Sequence, residues 1–235
     1  MDNNFRESTR SLDACKAIGD ALGFYTVYCP SIEISLGDSA RQYGNCIVSK
    51  HPIMKHRRYL LNPEAVWDGK TAETEPRTLL HATIRILDTD LHFMTLHLAY
   101  SRGFIYSDSR MRQVQKVIDV IERNSSYPIV LLGDFNALPN SPEIAEIEQY
   151  LENTDKKGRT KTWTTRDSCF QGWYVPKGLK YKVDYIFVSK SISYQIVKIP
   201  RTDISDHVPI VLDISFTERD QQHSPERQMS DKDSG

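Results

Sequence analysis

The residues best suited to chemistry sit at the ends of apolar runs. Gly133-Asp134-Phe135-Asn136 closes the run PIVLL. On a strand, side chains two positions apart share a face, so Asp134 and Asn136 could address one metal–phosphate site. Alone the pattern is weak, because Asp-x-Asn after a strand is more often a turn former. Later, Ser205-Asp206-His207 precedes VPIVLDI. A loop with two solvated polar residues is the commoner meaning of that arrangement. His97 ends FMTLHL and Asp184 is embedded in KVDYIFVS. Most strand histidines satisfy a core hydrogen bond, whereas a strand carboxylate buried without partners is costly. Taken as one set, an imidazole held by a carboxylate can activate water near neutral pH, and the remaining oxygens suit a hard cation such as Mg²⁺. Those are the parts that cleavage of a phosphate ester requires.

The elements that must position these residues are readable as periods. Leu12, Cys15, Ile18 and Leu22 recur at helical spacing, with Ser11 as N-cap and Gly23 as the stop. Met111, Val114, Val117, Ile118 and Ile121 predict a second helix between Asp108 and Asn124. Ser141 followed by Pro142 predicts a short third helix. Strands are expected in FYTVYC, NCIVS, LLHATIRIL, LHFMTLHL, PIVLLGD, VDYIFVS and VPIVLDISF. The polar stretch 153–182, broken by Trp163, Phe170 and Trp173, is expected to be a surface loop partly pinned by its aromatics. Strands with a few helices between them suggest an α/β sandwich. The expected organisation is one domain over 1–216 and a disordered polar tail over 217–235.

The chain of 235 residues is 39% hydrophobic and 26% charged, a globular rather than a disordered balance. A net charge of −1 argues against a broad polyanion-binding surface, although 30 Lys and Arg leave room for a local basic groove. Cys15, Cys29, Cys46 and Cys169 lack CxxC spacing, so no zinc site is expected and ordinary reduced thiols are. No apolar run approaches a membrane span, and MDNNFREST lacks a signal-peptide core. A soluble, cytoplasmic protein without an obligate protein partner is the expectation.

The segments YGNCIVSKHPI, EPRTLLHATI, MTLHL, LLGDFNALPNSPEI, TWTT, KVDYIFVS and ISDHVPIVLDI, in that order, resemble the endonuclease/exonuclease/phosphatase superfamily over roughly residues 11 to 216. GDFN and SDH are the most specific of them. The resemblance implies a four-layer α/β sandwich of two packed mixed sheets and a Mg²⁺- or Mn²⁺-dependent phosphodiesterase or phosphatase. It implies His207 as general base with Asp206 as its partner, and Asp134 and Asn136 positioning the water and the phosphate. His97 and Arg77 would bind the phosphate with Asn136, with Tyr43 or Asn45 bordering it. Asp134, Asp184 and Asp206 would serve the metal.

The same family resemblance implies two further strands ahead of the first helix, one bearing an Asn and one ending in a metal-binding Glu. Only MDNNFRESTR precedes Ser11, and Glu7, with no apolar strand before it, is not assigned that role. The expectation is therefore an N-terminally truncated fold with weakened metal binding. A catalytically impaired binding protein and a nuclease acting on DNA or RNA are the alternatives. The substrate stays open between a nucleic acid and a lipid or small molecule, for which Trp163, Phe170, Trp173 and Tyr174 would offer an apolar rim.

Overall fold

A computed structural model describes residues 13–215 except 37, 38, 65, 68, 69, 171, 199 and 201. Ser11, Glu7 and the expected tail lie outside the described residues. The first helix, α1, spans Ala14–Leu22 and starts on Asp13, whose carboxylate accepts the Lys16 N–H. Asp13 therefore caps the helix described here in place of the expected Ser11. Gly23 ends it in the left-handed conformation at φ 65°, as its missing Cβ allows.

A hairpin of β1 (Tyr25–Leu36) and β2 (Ser39–Ser49) follows. The central sheet then forms from β3 (Ile53–Leu60), β4 (Thr78–Ile86), β5 (Thr89–His97), β6 (Ile129–Asp134), β7 (Glu152–Asn153) and β10 (Asp184–Val188). Its strand order is β3-β4-β5-β6-β10-β7, antiparallel except between β5 and β6. That parallel pair needs a crossover, and α2 (Asp108–Arg123) supplies it. Two short strands, β8 (Ser168–Phe170) and β9 (Trp173–Val175), interrupt the expected loop; β11 (Ser193–Lys198) pairs with β12 (Val211–Ser215).

Four layers result. On one face of the central sheet, α2 and α3 (Pro142–Ile147) bury Val114, Val117, Ile118, Ile121, Ile144 and Ile147 against Met94, Leu96 and Leu131. Each such aliphatic side chain contributes roughly 1.5–3 kcal/mol on burial. On the other face, Val27 and Cys29 of β1 pack on Leu80, Ala82 and Ile84, while Tyr194, Leu212 and Ile214 pack around Val130 and Val188. Among the described residues the second β layer contains two antiparallel pairs, β1-β2 and β11-β12. The outermost layer is α1.

Two buried devices tie the layers together. Arg110 of α2 and Glu143 of α3 form a 2.7 Å ion pair with no side-chain exposure. Arg110 also donates to the carbonyls of Ala99 and Ile105 and to Ser101 Oγ, which pins the loop after β5. Removing one partner of such a pair typically costs about 3–5 kcal/mol. The second device corrects the expectation of reduced thiols: Cys15 of α1 is disulfide-linked to Cys46 of β2, with Cα atoms 6.4 Å apart. A sequence separation of 31 concealed the pair, because helix α1 folds back onto the hairpin. Cys29 and Cys169 are free. Among the described residues no helix is long and apolar enough to cross a membrane.

Candidate functional site

Three adjacent strands deliver three polar residues in one row. His97 at the end of β5 stands in register with Asp134 at the end of β6, and Asp134 with Asp184 at the start of β10. The approach of β5 and β6 depends on Gly133, where a Cβ would lie 2.1 Å from the Leu96 carbonyl oxygen. That glycine also sits at φ 143°, so any side chain there meets both steric and backbone strain.

His207 comes from a different region. Its backbone bridges to Trp163, which bridges in turn to Tyr181, and Val208 N donates to the Thr162 carbonyl at 2.9 Å. The Thr162 hydroxyl accepts from the backbone N–H groups of Val183 and Asp184, each at 3.3 Å. The segment around Trp163 therefore holds both the His207 loop and the entrance to β10. TWTT is prominent in the sequence, yet no local pattern there discloses this bracing role.

Within the site, His207 Nδ1 lies 2.8 Å from Asp184 Oδ2, and His207 Nε2 lies 4.0 Å from Asp134 Oδ2. His97 Nε2 stands 3.4 Å from the same Asp134 oxygen, and the Tyr43 hydroxyl is 3.1 Å from His97 Nδ1. The expected pairing of His207 with Asp206 is thus corrected: the carboxylate that holds His207 is Asp184. Asp206 instead accepts from Trp163 Nε1 at 3.3 Å. It is also absent from the group whose ligand atoms lie within 4.8 Å of one another, which comprises Asp134, Asp184 and His207.

Asn136 departs from its expected orientation as well. It adopts φ 48°, a left-handed conformation that Asn tolerates, and so does not continue the strand alternation. Its Nδ2 donates to the Leu98 carbonyl at 2.9 Å and its backbone N–H donates to Asp134 Oδ1 at 2.8 Å. Asn136 therefore locks the Asp134 carboxylate against the end of β5. Arg77, just before β4, is 3% exposed, pairs with Glu75 at 3.1 Å, and keeps a buried Nε without a hydrogen-bond partner. Asn45 anchors the same strand entrance by donating to the Thr78 carbonyl at 2.9 Å. The aromatics expected to form an apolar rim mostly point inward. Trp163 and Trp173 pack with Phe104 and Tyr181, leaving Tyr174 exposed, while the Phe170 side chain lies outside the described residues.

The electrostatics follow from burial set against charge. Burial raises Asp134 to about 7, and the nearby Asp184 charge adds to the rise against the opposing pull of His207. Burial alone would lower His207. The hydrogen bond to Asp184 and the charges of Asp184, Asp134 and Asp206 outweigh it and bring His207 to about 9. Burial, assisted by the charges of Arg77 and His207, keeps His97 well below the usual histidine range and hence neutral. A neutral His97 that accepts from Tyr43 at Nδ1 carries its proton on Nε2, facing Asp134.

Two carboxylates and an imidazole within ligand distance of one another fit a divalent cation, with Asp134 and Asp184 as the hard oxygen donors. Beside them, His207 Nε2 and His97 Nε2 flank one Asp134 oxygen.

Solved structures share this architecture. An endonuclease/exonuclease/phosphatase family protein from Leptotrichia buccalis has a TM-score of 0.63 and 19% identity, covering 90% of this chain and 81% of its own. A mannosyl-6-phosphatase from Bacteroides thetaiotaomicron gives 0.60 and 18%, covering 86% and 81%. The human Nocturnin catalytic domain with bound sulfate gives 0.59 and 16%, covering 87% and 77%. No curated protein matches significantly. The Endonuclease/Exonuclease/phosphatase family model matches residues 7–207, a span that takes in the three strands carrying His97, Asp134 and Asp184 and ends on His207, and the chain belongs to that family.

Proposed function

We propose that the protein hydrolyses phosphate esters with the help of a divalent cation, Mg²⁺ or Mn²⁺. Hydrolysis of phosphoester bonds is general in the family. The observation that carries the reading for this chain is the convergence of Asp134, Asp184 and His207 within 4.8 Å, with His97 against the same Asp134 oxygen. Asp184 orients His207 through Nδ1, so Nε2 is the nitrogen that takes a proton from an attacking water. Asp134 Oδ2, 4.0 Å from that nitrogen, helps to hold the water. His97, neutral and protonated on Nε2, donates to a phosphate oxygen, and Arg77 supplies positive charge from behind. A cation held by Asp134 and Asp184 would stabilise charge on the phosphoryl oxygens and offset the carboxylate field that keeps His207 protonated. Asp206 is a positioning residue in this scheme, acting on the loop through Trp163.

Turnover of bis-para-nitrophenyl phosphate with Mg²⁺ or Mn²⁺, against the same protein in EDTA, tests the reading. Metal-dependent hydrolysis that disappears in His207→Ala is expected. Hydrolysis indifferent to both EDTA and His207→Ala would overturn it.

A further inference from the structure

The helical layer leaves part of the central sheet uncovered. Alternate residues of a strand share a face, so the register puts Lys55 and Arg57 of β3, His81 and Arg85 of β4, and Asp90 and His92 of β5 on the face that Leu79, Met94 and Leu96 turn to α2. Helix α2 stops at Arg123, and beyond it Asn124 and Tyr127 close one side of a cleft of about 540 Å³ over these residues. The cleft therefore lies at the end of β5 opposite His97, away from the catalytic row.

Its charge is one-sided. Asp90 is the only acid among the residues that line it, and Arg85 already engages that carboxylate with bonds of 2.6 and 2.8 Å. Lys55 and Arg57 are exposed, and neither has an ion-pair partner among the described residues. Arg57 is nonetheless held in place. Its guanidinium stands 5.2 Å over the Tyr59 ring, which in turn stacks beside His81. Buried His81 and His92 meet at 3.0 Å beneath the cations and form the floor. Burial, His92 and Arg57 together hold His81 down to about 4, so the floor is neutral and leaves the positive field of β3 unanswered.

We propose that this cleft binds a small water-soluble polyanion, a molecule carrying two or more phosphate groups, through Lys55 and Arg57, at a site separate from the catalytic one. Two free cations on one face of one strand can each make a charge-assisted hydrogen bond to a phosphate oxygen. Thr83, opposite Lys55 in register, adds a hydroxyl to the same wall. The volume falls within the range of about 300–1,000 Å³ usual for small-molecule sites, so there is room for more than one phosphate group. Met54 is the one aliphatic residue of the lining, which leaves a lipid's acyl chains little to pack on. Cations on an edge strand such as β3 also deter strand pairing, but either face of the strand would serve that end, whereas Lys55 and Arg57 share the face that carries the cleft.

Pyrophosphate, titrated in EDTA at low salt, is the probe, with binding followed by calorimetry and by NMR of the histidine rings. Wild type should bind it, and the His81 and His92 signals should shift while those of His97 and His207 stay in place. In the double variant Lys55→Gln, Arg57→Gln the affinity should fall roughly tenfold or more for each cation removed, the worth of a hydrogen bond to a charged group. Both positions are exposed, so the variant should unfold at the temperature of wild type, and the loss is then one of binding. No binding by wild type, undiminished binding by the variant, or shifts confined to His97 and His207 would each overturn the proposal. Binding to vesicles containing phosphatidylinositol bisphosphate, by a protein that ignores free pyrophosphate, would overturn it as well.

Discussion

At one end of the central sheet His207 stands against Asp184 and Asp134; at the other, about 17 Å along β5 from His97, His92 stands against His81. Both regions hold imidazoles, half-buried at the site and buried at the other end, and they do opposite things with them. His81 Nε2 and His92 Nδ1 meet at 3.0 Å, Tyr127 stacks on His92 at 4.3 Å, and Tyr59 stacks beside His81 at 6.4 Å. The nearby acid, Asp90, is engaged by two bonds from Arg85 at 2.6 and 2.8 Å. Burial, the neighbouring His92 and Arg57 hold His81 down to about 4. Burial lowers His92 too, against partial opposition from Asp90 and Asn124. Burial by itself thus discharges an imidazole, and it takes unneutralised carboxylates in contact to reverse the sign. One end is a structural pair that stays neutral; the other is a poised acid–base centre.

The contrast is sharpest where its cause is removed. In Asp184→Asn the hydrogen bond and charge that hold His207 up are gone, so its pKa in the metal-free protein should fall from about 9, as followed by NMR of the ring. Metal-dependent hydrolysis should fall by roughly 10²–10⁴-fold with it. Full activity in this variant would assign the orientation of His207 to another group.

At the neutral end the expected effect is on stability. The folded pKa of His81 lies below the ordinary 6.5, so the unfolded chain binds the extra proton first as pH falls. The stabilisation is complete above about 6.5 and is lost progressively towards pH 4. The shift to about 4 corresponds to about 3 kcal/mol. Urea melts across that range should show the loss, and His81→Phe should flatten it. A wild-type protein equally stable at pH 4 and 7 would contradict the neutral pair.

The smallest effect should come from Asp206, which contacts Trp163 rather than the imidazole. Asp206→Asn keeps an acceptor for the indole N–H, and its kcat should drop by less than about tenfold. A loss as large as that of Asp184→Asn would restore Asp206 as the partner of His207.

Much of the frame was legible in the residues. The apolar period of α2 and the Ser141-Pro142 start of α3 are local signals, and both elements lie where they were expected. Strand β3 was not foreseen because its side chains are mostly exposed along an edge and carry no alternation. Strand β11, Ser193–Lys198, was missed as well. The expected aromatic loop became a packed cluster, since rings from positions 104, 163, 173 and 181 can meet only once the chain has folded back on itself.

For the site, the sequence alone determined the inventory: Asp134 closing an apolar strand, Asp184 within another, and histidines at 97 and 207. These are set by residue type and by periods of two or 3.6, which act over a few positions. Which carboxylate holds His207, where Asn136 points and which cysteines join were decided by tertiary structure. Those outcomes depend on the register of β5, β6 and β10, on a left-handed turn at Asn136 and on the docking of α1 over β2. Each brings together groups distant in the chain, and contacts of that kind are fixed by packing and hydrogen bonding between elements, which no local spacing encodes.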